Sequence, residues 1–409
     1  MSRLGVVDEI FLRSHRGMGT PIALQGLWRT ADRIEPAVLG SIHAALRQGP
    51  LGRRVVRPQV PGARPYWRAN DRAHPLLIAD SPIPAEELLS WADAQGFDLD
   101  PEFGPGWRLS AARVEGGGSI VSLTCSHALA DGRGLAIAVD LALTGTDFAE
   151  AAVVQSDWSD ARRQWSTVLS GTVRALRRGV PERVAGPEPR STAAEHATCS
   201  AVLRIPAADW DELAAARGGT ANSLFVHLVT KMLWHSGFTD PTLTVSLPVD
   251  TRDEPRVDND MAMTQVVVTR NDDPATIREK CRAAYEHRIS SPEGMPEELL
   301  QVLPDRVAHR LSRGAGERDV LCSNIGHLPP SLHRLGPHPC TGIAARAIHP
   351  GLLPTQLPRT RLSAYLSRID DTYTLALVAL DPDHIESDQA LIQVATGVLD
   401  GFGLLSTSW

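Results

Sequence analysis

A chain of 409 residues with 43% hydrophobic content is longer than one core usually serves and apolar enough to fill two, so two globular units are expected. No apolar run approaches the roughly 18 residues that a membrane helix needs, and Arg3, Asp8 and Glu9 interrupt the segment where a secretory leader would be apolar; a cytoplasmic protein without a transmembrane segment is expected. The net charge of -7 is uneven, because residues 1–76 hold twelve arginines and no lysine against five acidic residues, a local +7 set against -14 in the remainder.

Most of the basic excess lies between Arg47 and Arg72, broken by Pro58, Pro61 and Pro65. It lacks the interleaved aromatics of a single-strand nucleic-acid groove, so no nucleic-acid partner is expected. A solvated face and a docking patch for an acidic partner or a phosphate both remain open. Five cysteines, Cys125, Cys199, Cys281, Cys322 and Cys340, are odd in number and form no C-x-x-C, which argues against a disulfide framework and a cysteine-rich zinc module.

In chain order, residues 6–15 read as a short helix and 21–30 as a strand. Helical spacing of Val38, Leu39, Ile42, Ala45 and Leu46 predicts a helix over 35–48. A hairpin follows, with strands over 107–115 and 119–125 around Gly116-Gly117-Gly118, and then a helix over 134–143. The stretch 177–195 gathers Gly179, Pro181, Gly186, Pro187 and Pro189 without helical or strand periodicity. This places a linker at 179–196, between an N-terminal unit (1–178) and a C-terminal unit (197–409). Beyond it come a strand over 199–205, a helix over 207–216, and a second helix capped by Thr220 or Asn222. Strands over 242–247 and 263–269, a helix over 274–288, a hairpin over 362–369 and 373–380, and a helix over 387–399 complete the reading. Strands and helices mix in both halves, so the fold class is α/β or α+β.

On the strand 119–125, Val121, Leu123 and Cys125 share a face, and His127 has their parity. If the extended conformation persists for two more residues, the imidazole points inward. A satisfied core histidine is one reading. The other follows from its company: Asp131 stands four residues on, with Gly132 and Gly134 permitting a close backbone approach. A neutral imidazole there can accept a proton from an alcohol or amine attacking an acyl carbon.

His127-x-x-x-Asp131-Gly132 resembles the H-x-x-x-D-G motif of the condensation-domain superfamily, which includes peptide condensation domains, polyketide-associated acyltransferases, plant BAHD acyltransferases, wax ester synthases and chloramphenicol acetyltransferase. Val245 to Arg252 (VSLPVDTR) is similar to the P-V-x-x-R strand of these enzymes, and Leu321 to Gly326 (LCSNIG) to their S-N-x-G strand, in the same order. The resemblance implies two chloramphenicol-acetyltransferase-like subdomains in a V with an active-site tunnel between them. His127 would be the base, and Asp131 would turn away from the imidazole and pair with Arg252 as a scaffold ion. Oxyanion donors are sought among backbone N–H groups around Gly132 and the side chains of Ser323 and Asn324, which as strand-end residues could equally cap local backbone. No G-x-S-x-G elbow supports a Ser-His-Asp relay.

The resemblance also implies an acyl-CoA or acyl-phosphopantetheinyl carrier-protein thioester as donor, with no bound cofactor, a possible acyl carrier protein as partner, and a small-molecule or lipid acceptor. Position 126 is serine where peptide condensation domains and wax ester synthases usually carry a first histidine, which tilts the expectation toward a hydroxyl acceptor and ester formation. D-F-G-W-G of the plant branch is absent. An amide-forming enzyme of a peptide pathway and a non-catalytic recruitment module are the alternatives. Cys125 as a nucleophile competes with an ordinary buried cysteine. His327, His333, His338 and Cys340 match no zinc spacing and their prolines indicate a loop, so no metal is expected.

Overall fold

A computed structural model describes residues 2–70, 72–146, 156–177, 190–286, 295–312 and 317–409. Helix α1 (Val6–His15) leads into β1 (Ala23–Thr30) and α2 (Pro36–Gln48), whose Leu39, Ile42 and Leu46 are buried at 3- and 4-residue spacing. A small ribbon of β2 (Arg53–Val56) and β3 (Tyr66–Ala69) follows, then β4 (Leu77–Ile78) and α3 (Leu88–Asp93). The hairpin of β5 (Trp107–Arg113) and β6 (Ser119–Ser126) turns through Gly116, Gly117 and Gly118, all at positive φ. A Cβ on Gly118 would stand 2.1 Å from the Thr30 carbonyl oxygen, so this turn admits no side chain there. Helices α4 (Gly132–Thr144) and α5 (Asp157–Leu176) close this part of the chain.

The linker at 179–196 falls largely outside the described residues, which resume at Arg190. From there run β7 (Cys199–Pro206), α6 (Ala207–Ala216), α7 (Ala221–His235), β8 (Thr242–Asp250), β9 (Met261–Thr269) and α8 (Pro274–Glu286). Short helices α9 (Leu299–Val302) and α10 (Asp305–Ser312) precede β10 (Val320–His327), β11 (Arg334–Leu335) and β12 (His338–Ile348). The hairpin β13 (Leu362–Ile369) and β14 (Thr372–Ala379), α11 (Asp388–Gly401) and β15 (Thr407–Ser408) complete the chain.

Two sheets organise these elements. The first has the order β11-β12-β1-β6-β5-β4 and the second β15-β7-β14-β13-β10-β8-β9. All of β6 is buried, which its two-faced composition allows. Val121, Leu123 and Cys125 join one apolar core with Leu24 and Leu109, while on the other face Gln25 donates to Ala92 O (2.6 Å) and to the Ser122 and Thr124 hydroxyls (both 3.1 Å). The second core packs α7 and α11 on β13 and β14 through residues such as Phe225, Met232, Leu366, Leu375 and Leu391.

Strand β12 departs from the sequence reading. The segment around His338 and Cys340 was expected to be a loop; instead His338 opens an eleven-residue strand that pairs antiparallel with β1 from Ala23↔Ile348 to Thr30↔Cys340. The first sheet therefore draws strands from both sides of the linker. Pro339 is tolerated because it sits at the strand start opposite Arg334 of the short β11, where the ladder needs few donors.

Candidate active site

Strand β6 ends at Ser126, and the Leu129 N–H donates to Ser126 O (2.9 Å), so the chain turns at once rather than staying extended through His127. The imidazole nonetheless lines a cavity of about 620 Å³, within the usual range for a small-molecule site. That cavity is walled by β1 and β12 of the first sheet, by Pro248, Met261, Leu321 and Ser363 of the second, and by α1. Phe11 of α1 stacks on the His127 ring, with centroids 3.5 Å apart and planes 15° from parallel.

Burial pushes the His127 imidazole down to about 4, so it is neutral near pH 7. Its Nδ1 lies 3.0 Å from Asn259 Oδ1, and no described residue hydrogen-bonds its Nε2. Asn259 stands between β8 and β9. Its Nδ2 donates to His127 O (2.7 Å), Asp8 Oδ1 (2.8 Å) and Ala128 O (3.4 Å). The sequence reading did not single out Asn259; in Asp258-Asn259-Asp260 it looks like any polar loop residue.

Asp131 lines the same cavity but makes no hydrogen bond to the imidazole. It is the N-cap of α4, accepting from the Gly134 N–H (2.8 Å), and it also accepts from the Asp260 N–H (3.1 Å). Arg252 Nη2 reaches both carboxylate oxygens, at 2.7 and 2.8 Å, and the same guanidinium binds Asp250 Oδ1 (2.8 Å) and the Arg256 and Asp258 carbonyls. Burial pushes the Asp131 carboxyl up and Arg252 pulls it back; with the guanidinium and two N–H donors around it, the charged form is the one this site is built to hold. Gly132 is the first residue of α4, so its N–H is one of the donors a helix cannot use internally, and it lines the cavity.

Strand alternation separates Ser323 from Asn324. Leu321, Ser323 and Ile325 line the cavity, whereas Asn324 turns to the opposite face, donates to Asn222 Oδ1 (3.0 Å) and accepts from the Gly326 N–H (3.0 Å). As a substrate or oxyanion contact, Asn324 is thus corrected to a strand-end cap. Ser126 shares a 2.6 Å hydrogen bond with His15 Nε2 and accepts from the Ala128 N–H (3.1 Å). Cys125 is fully buried, and burial pushes its thiol up to about 12, which disqualifies it as a thiolate nucleophile.

No family model and no curated protein matches the sequence. Solved structures do match over nearly the whole chain. The first condensation domain of the calcium-dependent antibiotic synthetase, in complex with a substrate analogue, aligns with a TM-score of 0.60 at 15% identity, covering 98% of this chain and 95% of that one. The chain has the condensation-domain fold. Polyketide synthase associated protein 5 from Mycobacterium tuberculosis shares it (TM-score 0.55, 14% identity, 97% of both chains), as does a nonribosomal peptide synthetase, FmoA3 (TM-score 0.57, 18% identity), of which this chain spans 42%. Within this condensation-domain fold, no described helix is long and apolar enough to cross a membrane, and the described residues form no His, Cys, Asp and Glu group able to hold a metal.

Proposed function

We propose that the protein is an acyltransferase that moves an acyl group from a thioester, acyl-CoA or an acyl-phosphopantetheinyl carrier protein, to a hydroxyl of a natural-product or lipid acceptor. The observation that carries this reading is the neutral imidazole of His127, held by Asn259 at Nδ1 and open to a 620 Å³ cavity at Nε2. In the proposed step Nε2 takes the hydroxyl proton as the oxygen attacks the thioester carbonyl. The Gly132 N–H and the Ser323 hydroxyl, both on the cavity wall, are the donors this reading assigns to the resulting oxyanion. Collapse breaks the C–S bond, and the departing sulfur takes the proton back from the imidazolium, leaving ester and thiol. A thiol of pKa about 8.5 leaves without a covalent enzyme intermediate. Donor and acceptor entering from opposite faces of a V belongs to the same reading.

Amide formation is the second reading, favoured by the likeness to a peptide-synthetase condensation domain; Ser126 in place of a first histidine favours the ester. Matched acyl-CoA and acyl-carrier donors, offered an alcohol and amine panel with products read by mass, decide between them. His127→Ala is expected to abolish product while keeping native circular dichroism. In the wild type, the acid limb of kcat/KM should fall near pH 4 rather than 6.5, because burial lowers the proton affinity of the base. Turnover surviving in His127→Ala would refute the base. Product from no donor would leave a recruitment module.

A further inference from the structure

We propose that Asn259, backed by Asp8 of α1, is a positioning residue that locks His127 in the tautomer with Nδ1 protonated and Nε2 bare. The inference rests on the reading of His127 as the base. Asn259 Nδ2 faces three acceptors, the His127 and Ala128 carbonyls and the Asp8 carboxylate, and none of them can be satisfied by an amide oxygen. The amide can therefore stand only one way round, with Oδ1 toward His127 Nδ1 at 3.0 Å. An amide oxygen only accepts, so Nδ1 must carry the proton, and the ring's second hydrogen bond, to its own backbone, is one more acceptor for a ring N–H. The other tautomer would set two lone pairs against each other in a buried site and turn an N–H toward the acceptor hydroxyl, where it cannot take a proton. Asp8 is held in turn by the Gly5 N–H on its other oxygen (2.8 Å), so the first turn of α1 anchors the chain Asp8, Asn259, His127.

The tautomer is read without substrate, by two-bond proton–nitrogen correlation on 15N-histidine protein at pH 7.5. Wild-type His127 should show a protonated Nδ1 and an unprotonated Nε2. Asn259→Leu should give a tautomer mixture and a kcat lower by on the order of 100-fold, short of the ~10⁴-fold cost of a fixed wrong tautomer in a catalytic triad, with KM little changed. Asn259→Asp in an Asp8→Asn background keeps an acceptor at Nδ1 without setting two buried carboxylates against each other, so it should restore the tautomer, while its charge moves the acid limb of the rate profile to higher pH. A purely structural asparagine would lower the Tm of both variants and leave the tautomer as it is in the wild type. A wild-type Nε2–H, or Asn259→Leu with unchanged tautomer and kcat, overturns the proposal. Should Asn259→Leu not fold, the wild-type spectrum and Asn259→Asp in the Asp8→Asn background decide it. Turnover in His127→Ala alongside a protonated wild-type Nδ1 would instead sink the base assignment and leave the lock standing.

Discussion

Ser323 and Asn324 are adjacent in one motif, yet strand parity gives them different work. Ser323 lines the cavity with its hydroxyl free to meet a ligand oxygen, while Asn324 is occupied with Asn222 and Gly326 on the far face. Ser323→Ala is expected to lower kcat by about 10²-fold, toward the low end for loss of one oxyanion donor, and Asn324→Ala to leave kcat within about twofold. Steady-state kinetics on the two variants checks this; equal losses would mean that the pair acts through β10 as a whole. His127, Asp131 and Arg252 were legible in sequence because a motif carries them. Asn259 was not, because its role depends on a loop between β8 and β9 meeting α1 from the start of the chain, a meeting that local spacing does not encode.

At the scale of elements, Asp131 does two jobs that one substitution can separate. It caps α4 through Gly134 and it neutralises Arg252, both from a buried position. Asparagine caps as well as aspartate but cannot balance a guanidinium, so Asp131→Asn should keep the cap and lose the ion pair together with the acceptor for the Asp260 N–H, at least about 3–5 kcal/mol from leaving a buried charge alone, and Asp131→Ala about 1 kcal/mol more. Denaturant melts of the two variants measure the difference; equal stability would show that the cap contributes nothing. Helices α1 and α6 were legible to the residue from their local ends, although α1 buries Asp8, Glu9 and Arg13 along with Leu12, a face that no apolar spacing announces. Helix α5 escaped because it buries Asp160 and Gln164 while Trp158, Trp165 and Leu169 stay exposed, so its apolar residues do not mark its buried face. Strand β12 escaped because it opens on His338-Pro339 and buries Arg346 outright, a residue that reads as surface until Asp93 and Gln25 are seen to pair with it.

For the whole molecule, the basic first quarter is partly neutralised from within. Arg53 pairs with Asp258, Arg57 with Glu102 and Arg64 with Asp160, so these charges are spent on the fold. Arg54 and Arg68 face each other across the β2–β3 ribbon, a like-charge pair suited to an anionic partner. If an acidic carrier protein docks there, Arg54→Glu with Arg68→Glu should raise its KM about 10-fold and flatten the dependence on salt. A KM indifferent to both would exclude this face. The crossing of β12 into the first sheet also sets an order on biosynthesis. A nascent chain that has emerged only as far as α4 presents one flank of β1 as an open edge, a template for pairing with another chain. That edge closes only when Ile348 has cleared the ribosome, and Ala345, Arg346 and Ala347 bring part of the cavity wall with them. Vectorial synthesis thus delivers the His127 turn early and the chamber it serves late, so a stalled or truncated product would be sticky and inactive alike.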